Sequence, residues 1–413
     1  MVPNVQNWQQ KLFKNILKLD RGSSPRPIVN FMTDADDGVN WIKIGDTKKG
    51  ELYINSTKEK ITPEGAKKSR KVSKGEVIVS NSMSYGQPYI LNIDGYIHDG
   101  WFVIRNYEQH FEKNFLLQIL GSELIQRQYK RLAAGGVVSN ISSDLVYAVK
   151  VGLPPLPEQR KIAKILSTWD KVIATNEKLI ATSKQQKKAL MQQLLTGKKR
   201  LVNPETGKAF EGEWERHSMS DLVFIDRKSL GKKTPDDFEF QYISLSDVAV
   251  GSISKELEVH KFASAPSRAR RVIQEGDILL STVRPNLKGF AKVSGKHADC
   301  IASTGFSVLT PKKRVSGDYI HQYIFSSHVT GQIDSLVVGS NYPAINSSDV
   351  AGLKVYCPTY EEQQKIASVL TAADKEIEVL EAKLSHFKQE KKALMQQLLT
   401  GKRRVKVDEE VAA

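Results

Sequence analysis

The chain has 413 residues, 40% hydrophobic and 26% charged, with 61 Lys plus Arg against 46 Asp plus Glu and a formal net charge of +15. That profile excludes collagen, a wholly disordered chain and a disulfide scaffold: apolar content suffices for more than one core, and only Cys300 and Cys357 carry thiols. No run of about 18 apolar residues exists and Met1–Phe13 lacks an apolar signal core, so a cytoplasmic chain with no membrane span and a polyanionic partner is expected.

Residues 1–150 read as a mixed α/β segment. The apolar runs Val77–Val79, Tyr89–Ile93 and Trp101–Ile104, bounded by Gly, Pro, Asn and Asp, predict strands, and Phe111–Ala133 predicts a helical stretch. A basic cluster, Lys67, Lys68, Arg70 and Lys71, suits phosphate. The amides, hydroxyl and ring of Asn81, Ser82, Tyr85 and Gln87 are candidates for base edges.

From Glu158 the pattern changes to apolar steps of three and four. Ile162, Leu166, Trp169, Ile173, Asn176, Ile180 and Leu190 fall on one stripe, with Asn176 as a polar interruption that can set register. Pro157 suits the first turn, and Gly197 stops the helix beside Lys198 and Lys199.

Residues 206–354 are again mixed α/β, with strands predicted at Asp277–Leu280 and Phe306–Thr310 and a helical stretch over Asp318–Val337. Here the candidates for DNA contact are Arg268, Arg270, Arg271, Thr282, Arg284, Asn286, Lys288, Asn341 and Tyr342. Each cluster also reads as an ordinary solvated loop. A second long helix follows from Glu362, with Ile366, Leu370, Ile377, Leu380, Leu384, Phe387 and Leu394 on its stripe and Gly401 at its end. At about 40 residues, roughly 60 Å at 1.5 Å per residue, each helix is long for a domain, and two such stripes can pair as an antiparallel coiled coil. Packing against the neighbouring globular parts is the alternative for the same stripes.

The chain is an internal repeat. Lys187–Lys198 and Lys391–Lys402 share the twelve letters KKALMQQLLTGK, and Glu158–Arg200 laid on Glu362–Arg404 gives 25 identities in 43 positions. The α/β parts match weakly, at Trp41–Asp46 with Tyr242–Asp247, Gly75–Ser80 with Gly276–Ser281, and Ser142–Asp144 with Ser347–Asp349. A duplicated fold has diverged where it reads something and stayed uniform where it holds something. Net charge is uneven: +6 over residues 1–150, +7 over 151–205, +2 over 206–354 and zero over 355–413. The excess therefore speaks for backbone grip or docking, and specificity for small clusters.

Catalytic motifs are missing. Thr196-Gly197-Lys198-Lys199 lacks the earlier glycine of a phosphate loop, and His297 with Cys300 is a lone HxxC, so no metal is expected. Neither Leu153-Pro154-Pro155-Leu156 nor Asn341-Tyr342-Pro343-Ala344 matches the Asn/Asp-Pro-Pro-aromatic motif of an amino-methyltransferase. A nuclease built from scattered carboxylates stays open.

The whole pattern resembles the specificity (S) subunit of type I restriction–modification systems. Leu153–Ala163 (LPPLPEQRKIA) and Leu190–Gly197 carry the resemblance, with second copies in Pro358, Glu362–Ala367 and Leu394–Gly401, and domain openings at Trp8 and Trp214. The second copy departs at Cys357-Pro358-Thr359-Tyr360, where the first has Leu-Pro-Pro-Leu.

The resemblance implies an α+β chain with two mixed α/β target-recognition domains, 1–152 and 206–356. Two long antiparallel helices, 153–205 and 357–413, would form a coiled-coil spacer between them. It implies that each domain reads one half of a bipartite site in double-stranded DNA, that the helices set the spacing, and that the chain is non-catalytic. The expected partners are two methyltransferase (M) subunits and motor-nuclease (R) subunits. S-adenosylmethionine, ATP and Mg would sit on those partners, with no cofactor on this chain. A coiled-coil scaffold without sequence-specific DNA binding is the competing reading, and salt-dependent DNA binding separates the two.

Overall fold

A computed structural model describes residues 8–48, 50–81, 86–133, 141–337 and 343–407. Two compact units emerge: Met1–Glu177 with Lys383–Ala413, and Lys178–Ala382. Each holds one mixed α/β part and a length of both long helices, so the units divide the chain differently from four consecutive blocks.

In the first unit, a sheet places Lys18–Arg21, Trp101–Arg105, Val77–Ser80, Pro88–Leu91 and Tyr53–Ile54 side by side. A second sheet runs Met32–Thr33, Glu59–Ile61, Val39–Ile42, Gly95–Ile97 and Arg70–Val72, with its parallel pair in register at Tyr96 and Trp41. Strand Val77–Ser80 is buried throughout, which is why it reads as an unbroken apolar run.

The second unit repeats the order, with one strand fewer in each sheet among the described residues. Val223–Ile225, Phe306–Pro311, Ile278–Ser281 and Phe290–Lys292 form one sheet. Glu258–Lys261, Glu239–Ile243, Ile301–Ser303 and Ala269–Val272 form the other, again with a parallel pair, Tyr242 opposite Ile301. The duplication is therefore topological even where sequence identity is lost.

Both predicted helical stretches are broken in two. Lys113–Leu120 and Glu123–Ala133 are separated at Gly121-Ser122, and Gly317–Tyr323 and Ser327–Leu336 are separated by a turn. There Ser326 starts the second helix by accepting a bond from the Val329 amide. An apolar run does not register so short a break.

The long helices are Leu156–Leu194 and Tyr360–Leu398, 39 residues each. Each ends before a left-handed glycine, Gly197 at φ +69° and Gly401 at φ +71°. A Cβ on Gly197 would lie 3.3 Å from the Trp214 ring, so that turn needs both the backbone and the space.

Within the first unit the helices pair antiparallel: Asp170 meets Lys391 at 2.6 Å, Glu177 meets Lys388 at 2.7 Å, and the Trp169 ring stands edge-on to Phe387. Within the second, Lys184 meets Glu381 at 2.6 Å and Lys187 meets Asp374 at 2.5 Å. The partners are the same repeat positions with copies exchanged.

The stripe residues divide into two groups. Ile162 and Leu166 sit in the first globular core with Phe115, Ile119 and Leu398, and Ile366 and Leu370 in the second with Tyr319, Ile320 and Leu194. Leu394 and Leu190 border those two cores respectively. These six are corrected from spacer seam to domain core, because in each unit the ends of both helices pack together on the α/β part. Asn176, Ile180 and Ile377 are buried along the middle, and Trp169, Ile173, Leu380, Leu384 and Phe387 are half-buried there.

Candidate nucleic-acid interface

One backbone bond is repeated in both units and frames a pair of loops. In the first unit the Ile141 amide donates to the Asn81 carbonyl at 2.6 Å; in the second the Ile345 amide donates to the Thr282 carbonyl at 2.9 Å. Each bond joins the residue after a fully buried strand, Val77–Ser80 or Ile278–Ser281, to a residue that enters the last short helix of the α/β part. Asn81 and Thr282 are thus tied to Ile141 and Ile345, the residues just before the helix N-caps Ser142 and Asn346. Of the sequence candidates in these stretches, Ser82, Tyr85, Asn341 and Tyr342 lie outside the described residues.

Three candidates are structural. Asn81 is buried and its Nδ2 donates to the Asp99 carbonyl at 2.7 Å. Thr282 is buried with Oγ1 donating to the Gly305 carbonyl at 2.9 Å. Arg271 is ion-paired to Asp226 at 2.7 Å, and Asp226 also accepts from Ser347 and the Val308 amide. Their polar atoms bond within the fold rather than standing open for the DNA contact expected of them.

The remaining candidates face outward to different degrees. Lys67, Lys68, Arg70 and Lys71 are exposed around edge strand Arg70–Val72, with Lys68 over the Phe31 ring and Arg70 Nε donating to the Arg21 carbonyl. Gln87 and Arg268 are exposed, while Arg270 lies on the Phe262 ring at 4.6 Å.

Arg284, Asn286 and Lys288 share a single turn. Arg284 and Lys288 are both left-handed, at φ +49° and +54°, and bracket a 3-10 turn, Pro285–Leu287. A non-glycine residue held there costs about 1–2 kcal/mol. The turn is secured by bonds from the Arg284 amide to the Pro343 carbonyl (2.7 Å), Leu287 to Arg284 (2.9 Å) and Lys288 to Pro285 (2.9 Å). Pro285 is buried; Arg284, Asn286 and Leu287 are exposed, with Leu287 at 64%. Arg284 and Leu287 themselves line a concavity of about 340 Å³ together with Leu245, Val248, Ser281 and Val283. Sequence reading passed over Leu287. Its signal was an apolar residue inside a Pro-Asn-Leu-Lys-Gly turn.

The helix ends are clamped by a duplicated ion pair that sequence reading also missed. Arg404 donates through Nε and Nη2 to both oxygens of buried Glu158, each at 2.7 Å, and Trp8 Nε1 donates to the same carboxylate at 3.2 Å. Arg200 donates likewise to buried Glu362 at 2.8 and 2.7 Å. These carboxylate bonds hold both guanidinium groups above the ordinary arginine pKa. The matching Glu-Gln and terminal Arg of the two copies were the available signal.

Along the second half of the repeated tail, the outward residues are identical as well. Lys188, Gln192, Gln193 and Lys198 are exposed, and so are their twins Lys392, Gln396, Gln397 and Lys402. In the first unit this face walls a concavity of about 760 Å³ that Arg127 and Arg131 complete, with Lys392 held by Glu123 at 2.6 Å.

Among the described residues no group of His, Cys, Asp and Glu is arranged to hold a metal ion, and no helix is long and apolar enough to cross a membrane.

The sequence profile of the type I restriction modification DNA specificity domain matches residues 6–185 and again 212–388. The chain is 26% identical over 449 aligned residues to a Methanocaldococcus jannaschii chain named as the MjaX type I restriction enzyme specificity subunit, covering 97% of this chain and 95% of that one. It is 27% identical over 295 residues to the MjaVIII specificity subunit of the same organism, 67% of each chain. In fold it is similar to the type I restriction–modification S subunit from M. genitalium, with a TM-score of 0.58 at 12% identity over 96% of both chains. It is also similar to a chain in a structure concerned with complex assembly and conformational transition of the type I R-M system. That match has a TM-score of 0.57 at 17% identity, over 97% of this chain and 98% of that one.

Proposed function

The chain belongs to the type I restriction modification DNA specificity family, and from that premise we propose how it works as the DNA-recognition subunit of such a system. Each α/β part reads one half of an asymmetric two-part site in double-stranded DNA. The paired helices set the gap between the halves and dock two methyltransferase subunits. Those subunits carry S-adenosylmethionine and flip the target adenine out of the stack. Motor-nuclease subunits with ATP and Mg join the same assembly, and this chain contributes addressing and no chemistry of its own.

The observation that carries this reading is the repeated loop frame. The bonds from Ile141 to Asn81 and from Ile345 to Thr282 stand at the same place in both units, while the sequence between their ends is unrelated, as two readers of different sequences require. Docking of the same partner twice is supported by the opposite pattern on the helices. Exposed residues such as Gln193 and Gln397 are identical in the two copies. A scaffold without sequence-specific contact is not favoured, since the family match covers both α/β parts.

The test is methyl transfer to DNA. The purified chain should give none, and should direct a methyltransferase partner to adenines in one bipartite sequence. Transfer by the chain alone, or a partner whose target does not change when this chain is exchanged for another, refutes the proposal.

A further inference from the structure

We propose that Leu287 is a base-contact residue of the second unit, meeting a thymine 5-methyl group in the major groove from the tip of the Arg284–Lys288 turn. The inference rests on the DNA-recognition reading above and names a contact within it. A single exposed leucine needs no explanation by itself. This one has 64% of its surface exposed on a turn whose neighbours Arg284 and Asn286 are also exposed, while Pro285 beneath them is buried. Charge and amide suit phosphate and base edges, and the one base feature that rewards an apolar side chain in the major groove is the thymine methyl.

The backbone points the same way. The turn carries two left-handed non-glycine residues within five positions, a conformation that persists only where the surroundings impose it. Here the surroundings do impose it: the Arg284 amide is tied to Pro343, Val283 bridges Ala344, and the Lys288 carbonyl accepts from Phe290 at 2.7 Å. Leu287 is thereby presented rigidly, next to the second loop base of the same frame. A rigid tip loses little freedom on binding, which is what a discriminating contact requires.

The experiment selects duplexes from a random pool with the full chain and its methyltransferase partner, comparing wild type with Leu287→Ala. Because the side chain is exposed, the variant should melt as wild type does. Expected is a drop in preference of about 5- to 10-fold at one A·T position of one half-site, with the other half-site and the spacing unchanged. Deoxyuridine in place of thymine at that position should weaken wild type about fourfold, the worth of one buried methyl, and leave Leu287→Ala unaffected. The inference is overturned by a uniform loss across sequences, by relaxation at a G·C position, or by unchanged preference at every position. An equal deoxyuridine effect on wild type and variant also overturns it, since the methyl is then met by another residue. If wild type itself selects no sequence, the recognition reading fails and this inference with it.

Discussion

Arg200→Ala should be among the most damaging single changes in the second unit. Arg200 closes a bidentate pair on Glu362 at 2.8 and 2.7 Å, and its guanidinium also donates to the carbonyls of Gly212 (2.9 Å) and Glu211 (3.1 Å). The Glu362 side chain is 0% exposed and that of Arg200 24%. Truncation therefore strands a carboxylate out of water with its counter-charge gone. Breaking a buried pair in this way costs about 3–5 kcal/mol, and the partial exposure of the arginine places this case near about 3.

The duplicate supplies an internal control. Arg404 is 41% exposed and Glu158 3%, and Glu158 keeps its bond from Trp8 when Arg404 is truncated. Arg404→Ala should cost less, about 2 kcal/mol. Denaturant titration with hydrogen exchange read separately around Trp214 and Trp8 assigns each loss to its unit. Adding Glu362→Gln to Arg200→Ala removes the stranded charge and should recover roughly half of the loss. The reasoning is refuted if Arg200→Ala lies within about 0.5 kcal/mol of wild type. It is equally refuted if Glu362→Gln deepens the loss.

Burial depresses His321 from 6.5 to about 4, with Lys187 reinforcing the shift and Asp374 opposing it. Between those values the unfolded chain binds more protons, so stability is fully present above pH 6.5 and falls by about 3 kcal/mol toward pH 4. His321→Leu should flatten that part of the stability–pH curve, and the same slope in variant and wild type counts against the assignment. Replacing Lys67, Lys68, Arg70 and Lys71 by glutamine should lower the slope of log affinity against log salt by about one for each phosphate no longer neutralised, with the half-site sequence unchanged. An unaltered slope removes that cluster from the interface. A matched seven-residue insertion after Glu177 and after Ala382 keeps the heptad phase and lengthens each helix by about 10 Å. Methylome mapping should then find the same half-sites with a gap wider by up to about 3 base pairs, whereas new half-site sequences at the old gap would contradict a spacing role.

The helices, the repeat and the family were legible because each is written in local pattern. Steps of three and four announce Leu156–Leu194 and Tyr360–Leu398, and twelve identical letters announce the duplication. The strand at Val77–Ser80 was legible for the same reason, as an apolar run bounded by turn residues. The binding candidates were less so. Asn81 and Gln87 look alike as amides in a polar stretch, yet one is buried against the Asp99 carbonyl and the other is exposed. Composition does not report which polar group the fold itself uses.

What the sequence by itself determined is the order of elements and their repetition, both consequences of local periodicity. Tertiary structure decided how those elements are used. Glu158 meets Arg404 across 246 residues and Arg200 meets Glu362 across 162, which turns two charged letters per copy into a clamp on a buried carboxylate. Ile162 and Leu166 belong to a domain core because Phe115 and the far helix's Leu398 come to them. Leu287 stands out because Pro343 holds Arg284 in a conformation that its own neighbours in sequence do not impose. The physical reason is common to all three. Burial, ion pairing and backbone strain depend on which distant group arrives, and a local pattern carries no record of that.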